Sequence, residues 1–422
     1  MTVAVAALAA LTAALPAGSD TAAAVVPDRR IVYSQWDTDD ELGQGHAHGV
    51  SVVDGALTLA DPVGTSGGYE YGTWTSPWVR PGFDLTELVP SWDGRTPGGS
   101  YVRIEVQGRT PSKRSSWDTM ANWSLDDREY TRRSSSDSQS DDLGRTAYDT
   151  WITSGVSAWR VRVTLLRRTG GKAKPTVDTV GGMASSLPSV SSVSTSTPGA
   201  GAKAALGKVL PVPMYSQMIH QGEYPQYDGG GEAWCSPTST TMVLDYYHSL
   251  PPARQYRWVS SSYDDRVVDH VARMTYDAGF GGTGNWAFNT AYAASRTGSG
   301  DGGAFVTRLR SLSEAERFIA AGIPLIASIT FSSGELSGAP ISSTSGHLLV
   351  IVGFTKSGDV VVNDPAASSR SGVRRTYDRG QFEDAWLKRY PCGSSMRGSG
   401  GMVYVVHDAA HPLPPRGDNR NW

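Results

Sequence analysis

The chain has 422 residues, and its 38 Lys and Arg against 41 Asp and Glu give a formal net charge of −3. Hydrophobic residues make up 39% of the sequence, which is enough for packed cores and excludes a disordered chain. The balanced charge argues against a dedicated nucleic-acid-binding protein, which usually carries a basic face, so we expect no nucleic-acid partner. Two cysteines, Cys235 and Cys392, exclude a disulfide-rich scaffold.

The first segment has the features of a targeting signal. Residues 3–15 are an uninterrupted run of Ala, Val, Leu and Thr, too short to span a bilayer but as long as the apolar core of a signal peptide. Small residues at 21–24 suit cleavage. We therefore predict that residues 1–24 are a signal segment, that the protein is secreted and that the mature chain has no membrane span. An Ala-rich buried helix is the alternative.

Residues 30–181 have the pattern of a β domain and hold eight of the thirteen Trp residues. In residues 100–107 and 158–166, apolar side chains occupy every second position, which is typical of a strand with one solvated face. No long helical period interrupts these stretches, so we predict an all-β sandwich of jelly-roll type. Most of its Trp residues are predicted to be core, and contact with cell wall or polysaccharide is the alternative role.

The composition changes after this domain. Residues 182–208 are mostly Ser, Ala, Gly, Thr and Pro, so they predict a flexible linker. Residues 209–408 mix helical and strand patterns and are predicted to form an α+β domain, with residues 409–422 as a tail. Within this domain, Ser313 and Glu316 have the spacing of a capping box, which predicts a helix start.

Cys235 is the first residue that suggests chemistry. It follows a run of three glycines at 229–231 and precedes a helical pattern with Pro237 in the first turn. The free amides and the dipole at a helix N-terminus stabilise a thiolate, so Cys235 is a candidate nucleophile. The alternatives are a small buried side chain or a disulfide with Cys392. We favour an unpaired Cys235, because a disulfide leaves no thiolate for the helix N-terminus to stabilise.

A thiol nucleophile needs a base, and His347 stands at the start of an apolar strand. The next strand pattern, residues 360–363, ends at Asp364. If the two strands form a hairpin, His347 and Asp364 lie near the same edge of the sheet. The carboxylate then accepts from the imidazole and fixes its tautomer, with Asn363 as the alternative partner.

Gln217 lies in a loop that precedes the Cys235 helix. With the backbone amide of Cys235, its side-chain amide has the chemistry of an oxyanion hole. A surface glutamine in a loop is the alternative.

The stretches VPMYSQ, WCSPTSTTMVLDYY, GHLLVIVGF and DVVVNDP occur in this order over residues 209–407. Together they resemble the papain-like peptidase family C-39, and in particular exported actinobacterial proteins of that group. The resemblance implies a papain-like α+β fold, with Cys235 as nucleophile, His347 as base, Asp364 as orienting acid and Gln217 as oxyanion donor.

The leading hypothesis is therefore an exported cysteine peptidase whose partner is a peptide or protein substrate. One alternative keeps the same residues but cleaves cell-wall peptides or amides. Another is a binding or adhesion protein with an inactive thiol site. His46 and His48 lack further ligands at a recognisable spacing, so we predict no metal, and we expect no cofactor.

Overall fold

The computed structural model describes residues 28–125, 133–140, 142–298, 301–392, 395–416, 418 and 420–422. The predicted signal segment, residues 1–24, lies outside these described residues. Within the described ranges, no helix is long and apolar enough to cross a membrane.

The first half of the described chain is built almost entirely of strands. A short helix, α1, spans Asp39–Gly43. The strands are β1 (Arg30–Trp36), β2 (His46–His48), β3 (Val50–Val53), β4 (Ala56–Leu59), β5 (Gly64–Ser66), β6 (Tyr69–Thr75), β7 (Leu85–Arg95), β8 (Tyr101–Arg109), β9 (Asp118–Trp123), β10 (Gly144–Ala147), β11 (Thr150–Val156), β12 (Ala158–Arg168) and β13 (Thr176–Ser186).

These strands form two antiparallel sheets. One has the order β10-β11-β7-β13-β4-β3 with β1 added on β13, and the other has the order β2-β6-β12-β8-β9 with β5 added on β6. Apolar side chains from both sheets form one core, which contains six of the eight Trp residues of this half. Because the two sheets pack face to face around this core, a β-sandwich is confirmed, as is the prediction that most of its Trp residues are core.

The second half combines helices with a third sheet. The helices are α2 (Cys235–Tyr246), α3 (Val267–Thr275), α4 (Trp286–Thr297), α5 (Leu312–Ala320) and α6 (Arg379–Leu387). The strands are β14 (Gly303–Arg308), β15 (Leu325–Phe331), β16 (Thr344–Phe354), β17 (Val360–Asn363), β18 (Arg374–Tyr377), β19 (Tyr390–Cys392), β20 (Ser395–Arg397) and β21 (Met402–His407). The antiparallel sheet has the order β14-β21-β15-β16-β17-β18, and β19 pairs only with β20 among the described strands.

The start of helix α5 differs from the predicted capping box. The helix begins at Leu312 with Ser311 as its N-cap residue, and Glu314 accepts a hydrogen bond from the Arg310 amide at 2.8 Å. Glu316 is buried and turns away to bind another part of the chain. Two Ser-x-x-Glu spacings overlap here, and the earlier one, Ser311 and Glu314, stands at the start of the helix.

Residues 187–208 run along the second half, held by carboxylates. Glu316 accepts hydrogen bonds from the amides of Gly199 and Gly201, each at 2.9 Å. Glu383 accepts one from the Ser196 amide at 2.7 Å. The expectation of a flexible linker was wrong for this stretch, because side chains distant in sequence bind its backbone. Residues 182–186, also placed in the linker, belong to strand β13.

The two halves share a buried charged contact. Glu87 on β7 lies 2.8 Å from Arg308 on β14 and also pairs with Arg389. Nearby, the Ser91 hydroxyl accepts a hydrogen bond from the Val306 amide at 2.9 Å. These contacts fix the β-sandwich against the edge of the third sheet.

The end of the predicted tail is also packed. Asn421 and Trp422 are buried, and the ring of Trp422 contacts Phe318 of helix α5. The Tyr33 amide on β1 donates a hydrogen bond to the carbonyl of Arg420 at 2.8 Å. Residues 420–422 therefore contact both halves.

Candidate active site

Helix α2 begins at Cys235, as the sequence predicts, and places a half-buried thiol at its N-terminus. Gly229 and Gly230 precede it with φ angles of 81° and 118°, a region that favours glycine. At Gly231 a Cβ atom would lie 2.3 Å from the backbone oxygen of Gln217. The glycines therefore allow the loop before the helix to pass directly against the Gln217 segment.

His347 lies on β16, opposite Ile329 on the neighbouring strand β15. Its side chain is buried, and its Nε2 atom lies 2.8 Å from Oδ1 of Asp364. Strands β16 and β17 pair in antiparallel fashion, with Val350 opposite Asn363. The hairpin thus brings the start of β16 to the residue that follows β17, as expected from the sequence.

Three donors hold the carboxylate of Asp364. His347 is one, the hydroxyl of Tyr377 is the second at 2.7 Å, and the amide of Ala366 is the third at 3.0 Å. Tyr377 lies at the end of β18 and is buried. Nothing in the sequence pattern singled out Tyr377, because its contact depends on how β18 pairs with β17.

Asn363, the alternative partner of the histidine, faces elsewhere. Its Nδ2 atom donates to the carbonyl oxygens of Val212 and Pro213 at 3.2 and 3.0 Å. Its Oδ1 atom accepts from Arg374 at 2.5 Å. The structure therefore brings Asp364 to His347, while Asn363 fastens the segment that leads to Gln217.

The thiol of Cys235 lies close enough to His347 to act on the pKa of the imidazole. Because Nε2 of the imidazole is engaged by Asp364, Nδ1 is the nitrogen left for the thiol. The thiol at the start of helix α2 therefore lies beside the imidazole–carboxylate pair of the hairpin.

Burial is the largest influence on the pKa of His347 and acts to lower it, since a charged imidazole loses its hydration. The charge and hydrogen bond of Asp364, together with the Cys235 thiol, outweigh burial and raise the pKa of His347 to about 10. Burial acts to raise the pKa of Asp364, but His347 and the Tyr377 hydroxyl hold that pKa below its usual value. The site therefore favours a protonated imidazole at neutral pH.

Gln217 is buried between the Cys235 loop and the Asp364 loop. Its Nε2 atom donates to the carbonyl of Glu232 at 2.8 Å, and its backbone amide donates to the carbonyl of Pro365 at 2.9 Å. An amide nitrogen carries two hydrogens, so one donor of this side chain remains. The structure thus brings Gln217 beside the residues that flank Cys235 and Asp364.

Both cysteines are free. Cys392 lies exposed on β19. The absence of a disulfide between the two agrees with the prediction that Cys235 is unpaired.

Two family models match the chain. The first, the peptidase C39 N-terminal domain, matches residues 32–185, and the second, the Peptidase_C39 like family, matches residues 209–392. The chain belongs to the peptidase C39-like family. The resemblance to family C-39 is thereby confirmed, and the C39-like region contains Cys235, His347 and Asp364.

No curated protein matches this C39-like chain. Among solved structures, a family 29 carbohydrate-binding module is 10% identical over 37% of this chain and 89% of that one, with a TM-score of 0.19. A family two carbohydrate esterase from Cellvibrio japonicus is 9% identical over 39% of this chain and 37% of that one, also with a TM-score of 0.19. Similarities this weak support no conclusion about the C39-like protein.

Proposed function

We propose that this protein is a cysteine peptidase with a papain-like catalytic domain, in which Cys235, His347 and Asp364 act together. The observation that carries this proposal is the buried hydrogen bond between His347 and Asp364, beside a thiol that acts on the pKa of that imidazole. A protonated imidazole beside a thiol at a helix N-terminus stabilises the thiolate, which is the attacking species.

In the proposed reaction, the Cys235 thiolate attacks the carbonyl carbon of a peptide bond, and a C–S bond forms. His347 donates its proton to the leaving nitrogen as the C–N bond breaks, which leaves a thioester and a neutral imidazole. The imidazole then takes a proton from water as the water attacks the thioester. The acid product leaves, and the thiolate and the protonated imidazole return. Asp364 keeps the ring oriented throughout.

The oxyanion of the tetrahedral intermediate needs donors, and two are available beside the thiol. The amide of Cys235 is the first of helix α2, so it has no partner within the helix. The remaining hydrogen of Gln217 Nε2 is the second proposed donor. Its support is the position of the side chain against Glu232, three residues before Cys235. Each such donor lowers the barrier by about 3 kcal/mol.

The decisive experiment compares the wild type, Cys235→Ala and Cys392→Ala on a peptide library and on purified peptidoglycan. We expect hydrolysis by the wild type and by Cys392→Ala, which lacks the other thiol, and none by Cys235→Ala. Iodoacetamide at pH 5.5 should label Cys235 faster than Cys392, since the proposed reaction places a protonated imidazole beside Cys235. Retained hydrolysis in Cys235→Ala would falsify the proposal.

The same experiment separates the alternatives. Release of amines from peptidoglycan alone indicates a cell-wall hydrolase that uses the same residues. Rapid labelling of Cys235 without hydrolysis of either substrate indicates a binding protein. Secretion and a polysaccharide partner for the β-sandwich are retained as parts of the proposal. Sequencing the N-terminus of protein from the culture medium, and binding of the full chain to cell walls, test them.

A further inference from the structure

Three side chains outside the proposed catalytic residues converge beside the Gln217 segment. His220 ends the short 3-10 turn Met218–His220, Glu223 follows it, and Asp269 lies on helix α3. The Nδ1 atom of His220 is 2.9 Å from Oε2 of Glu223 and 3.3 Å from Oδ2 of Asp269. One ligand atom from each of the three lies within 4.8 Å of the other two.

The second observation concerns the burial and the hydrogen bonding of the Asp269 carboxylate. Its side chain is 0% exposed, and among the described residues neither of its carboxylate oxygens accepts a hydrogen bond. Its Oδ2 atom points into the cluster, at 3.3 Å from the imidazole. Among the described residues, His220 is the one basic group that meets this buried carboxylate, so a further positive charge there would stabilise it.

Basic side chains supply too little positive charge to balance the carboxylates of Glu223 and Asp269. In the described part of the chain, no Lys or Arg pairs with Glu223 or Asp269, and His220 is the one basic group in contact with either. A protonated imidazole carries one positive charge against two carboxylates. A divalent cation would neutralise both carboxylates and leave the imidazole neutral.

The distances suit a metal with bonds of about 2.0–2.1 Å. Two ligands on such an ion in tetrahedral geometry lie roughly 3.3 Å apart. The separations of 2.9 and 3.3 Å from the imidazole nitrogen are close to that value, and the two carboxylates offer oxygens within 4.8 Å of each other. An imidazole nitrogen favours zinc and its first-row neighbours over calcium or magnesium, which prefer oxygen ligands alone.

We propose that His220, Glu223 and Asp269 bind a divalent first-row transition metal such as zinc. This proposal departs from the expectation of no metal drawn from the sequence. The spacing of residues in the sequence could not predict this site, because His220 and Glu223 supply only two ligands and Asp269 comes from a separate helix. The bound ion fastens the turn after Gln217 to helix α3, so it is a structural ion that steadies the proposed oxyanion donor.

The test uses the full chain carrying Cys235→Ala and Cys392→Ala, because thiols also bind zinc. After removal of metals with a chelator, zinc is titrated by calorimetry and counted by elemental mass spectrometry. We expect one zinc per chain and a higher melting temperature with zinc. Glu223→Gln in this background should weaken zinc binding by about tenfold or more and remove the rise in melting temperature. Asp269→Asn should do the same.

Two matched controls decide the location of the ion. Asp264→Asn removes an exposed carboxylate five residues before Asp269 and should leave zinc binding unchanged. His48→Ala removes one ring of the exposed His46–His48 pair, whose Nε2 atoms lie 2.8 Å apart, and should also leave it unchanged. The proposal fails if zinc does not bind, if Glu223→Gln binds it as tightly, or if His48→Ala abolishes binding. Because the background lacks both thiols, these results do not depend on the peptidase proposal.

Discussion

The hydroxyl of Ser239 donates a hydrogen bond to the backbone carbonyl of Leu348 at 3.2 Å. Ser239 lies one turn after Cys235 on helix α2, and Leu348 follows His347 on strand β16. One buried bond therefore joins the element that carries the thiol to the element that carries the imidazole. It makes Ser239 a positioning residue for the proposed reaction.

Replacing Ser239 with Ala should reduce catalysis more than stability. We expect the free energy of unfolding to fall by about 1 kcal/mol, the value of one neutral hydrogen bond. The kcat should fall by about tenfold to a hundredfold, because the thiol and the imidazole lose a shared support. Peptide kinetics and the iodoacetamide labelling rate measure the second effect.

Ser295→Ala is the matched control for Ser239→Ala. The Ser295 hydroxyl is also buried, but it donates within helix α4, to the carbonyl of Tyr292 at 2.7 Å. The Ser295→Ala variant should lose about as much stability as Ser239→Ala and keep the kcat of the wild type. Equal losses of kcat in both variants would show that Ser239 has only a structural role.

Replacing Asp364 with Asn should lower stability in a pH-dependent way. The pKa of Asp364 is lowered, so its contribution is present above its ordinary pKa of 3.8 and is lost as the pH falls through the folded value. The pKa of His347 is raised, so its contribution is full below its ordinary pKa of 6.5 and is lost as the pH rises through about 10. The wild type should therefore exceed the variant most between about pH 4 and 6.5.

Urea unfolding at pH 3, 5.5 and 9 measures this difference. At pH 5.5 we expect the free energy of unfolding of Asp364→Asn to be about 3–5 kcal/mol lower than that of the wild type, the cost of removing one partner of a buried ion pair. The difference should be smaller at pH 3 and at pH 9. The kcat should fall on the order of 10³–10⁴-fold, because the imidazole loses its orienting partner. Asp264→Asn serves as the surface control. A difference that does not change with pH would contradict the proposed ion pair.

Replacing Gln217 with Ala should lower kcat by about 10²–10³-fold and leave KM nearly unchanged, since an oxyanion donor acts mainly in the transition state. Gln226→Ala, an exposed glutamine in the following loop, is the control and should behave as the wild type. Steady-state kinetics on the best library peptide measure both. An unchanged kcat in Gln217→Ala would assign the oxyanion to other donors.

Replacing Glu87 with Gln should destabilise both halves together. The variant leaves Arg308 buried without its carboxylate partner, at a cost of about 3–5 kcal/mol. Chemical denaturation followed by Trp fluorescence measures this loss. Asp28→Asn is the control, since its pair with Arg30 is 70% exposed at the carboxylate and its loss should change stability by at most about 0.5 kcal/mol. If Glu87→Gln lost as little stability as Asp28→Asn, the charged contact between the halves would contribute little to the stability of the protein.

Local sequence features account for part of the site. The helix that begins at Cys235 follows from Pro237 and the glycines before it, and the hairpin from His347 to Asp364 follows from two short apolar strands. Tyr377 and Ser239 could not be predicted in the same way. Their contacts depend on the register between β17 and β18 and on how α2 packs on β16, and both are set by tertiary packing.

The order of residues 187–208 also could not be predicted from the local sequence. Composition describes what residues 187–208 contain, and Ser, Gly and Ala have little apolar surface to bury. It does not show what binds them, because Glu316 and Glu383 come from helices more than a hundred residues further on. A backbone can be ordered by carboxylates that accept its amides even when its own side chains contribute little.

That ordered segment has a consequence for the lifetime of the protein. A protease must draw an extended stretch of chain into its own cleft, and exposed Ser- and Gly-rich connections are where cleavage usually begins. Here the amides of Ser196, Gly199 and Gly201 must first leave their carboxylates. We therefore expect the connection between the halves to resist digestion by proteases.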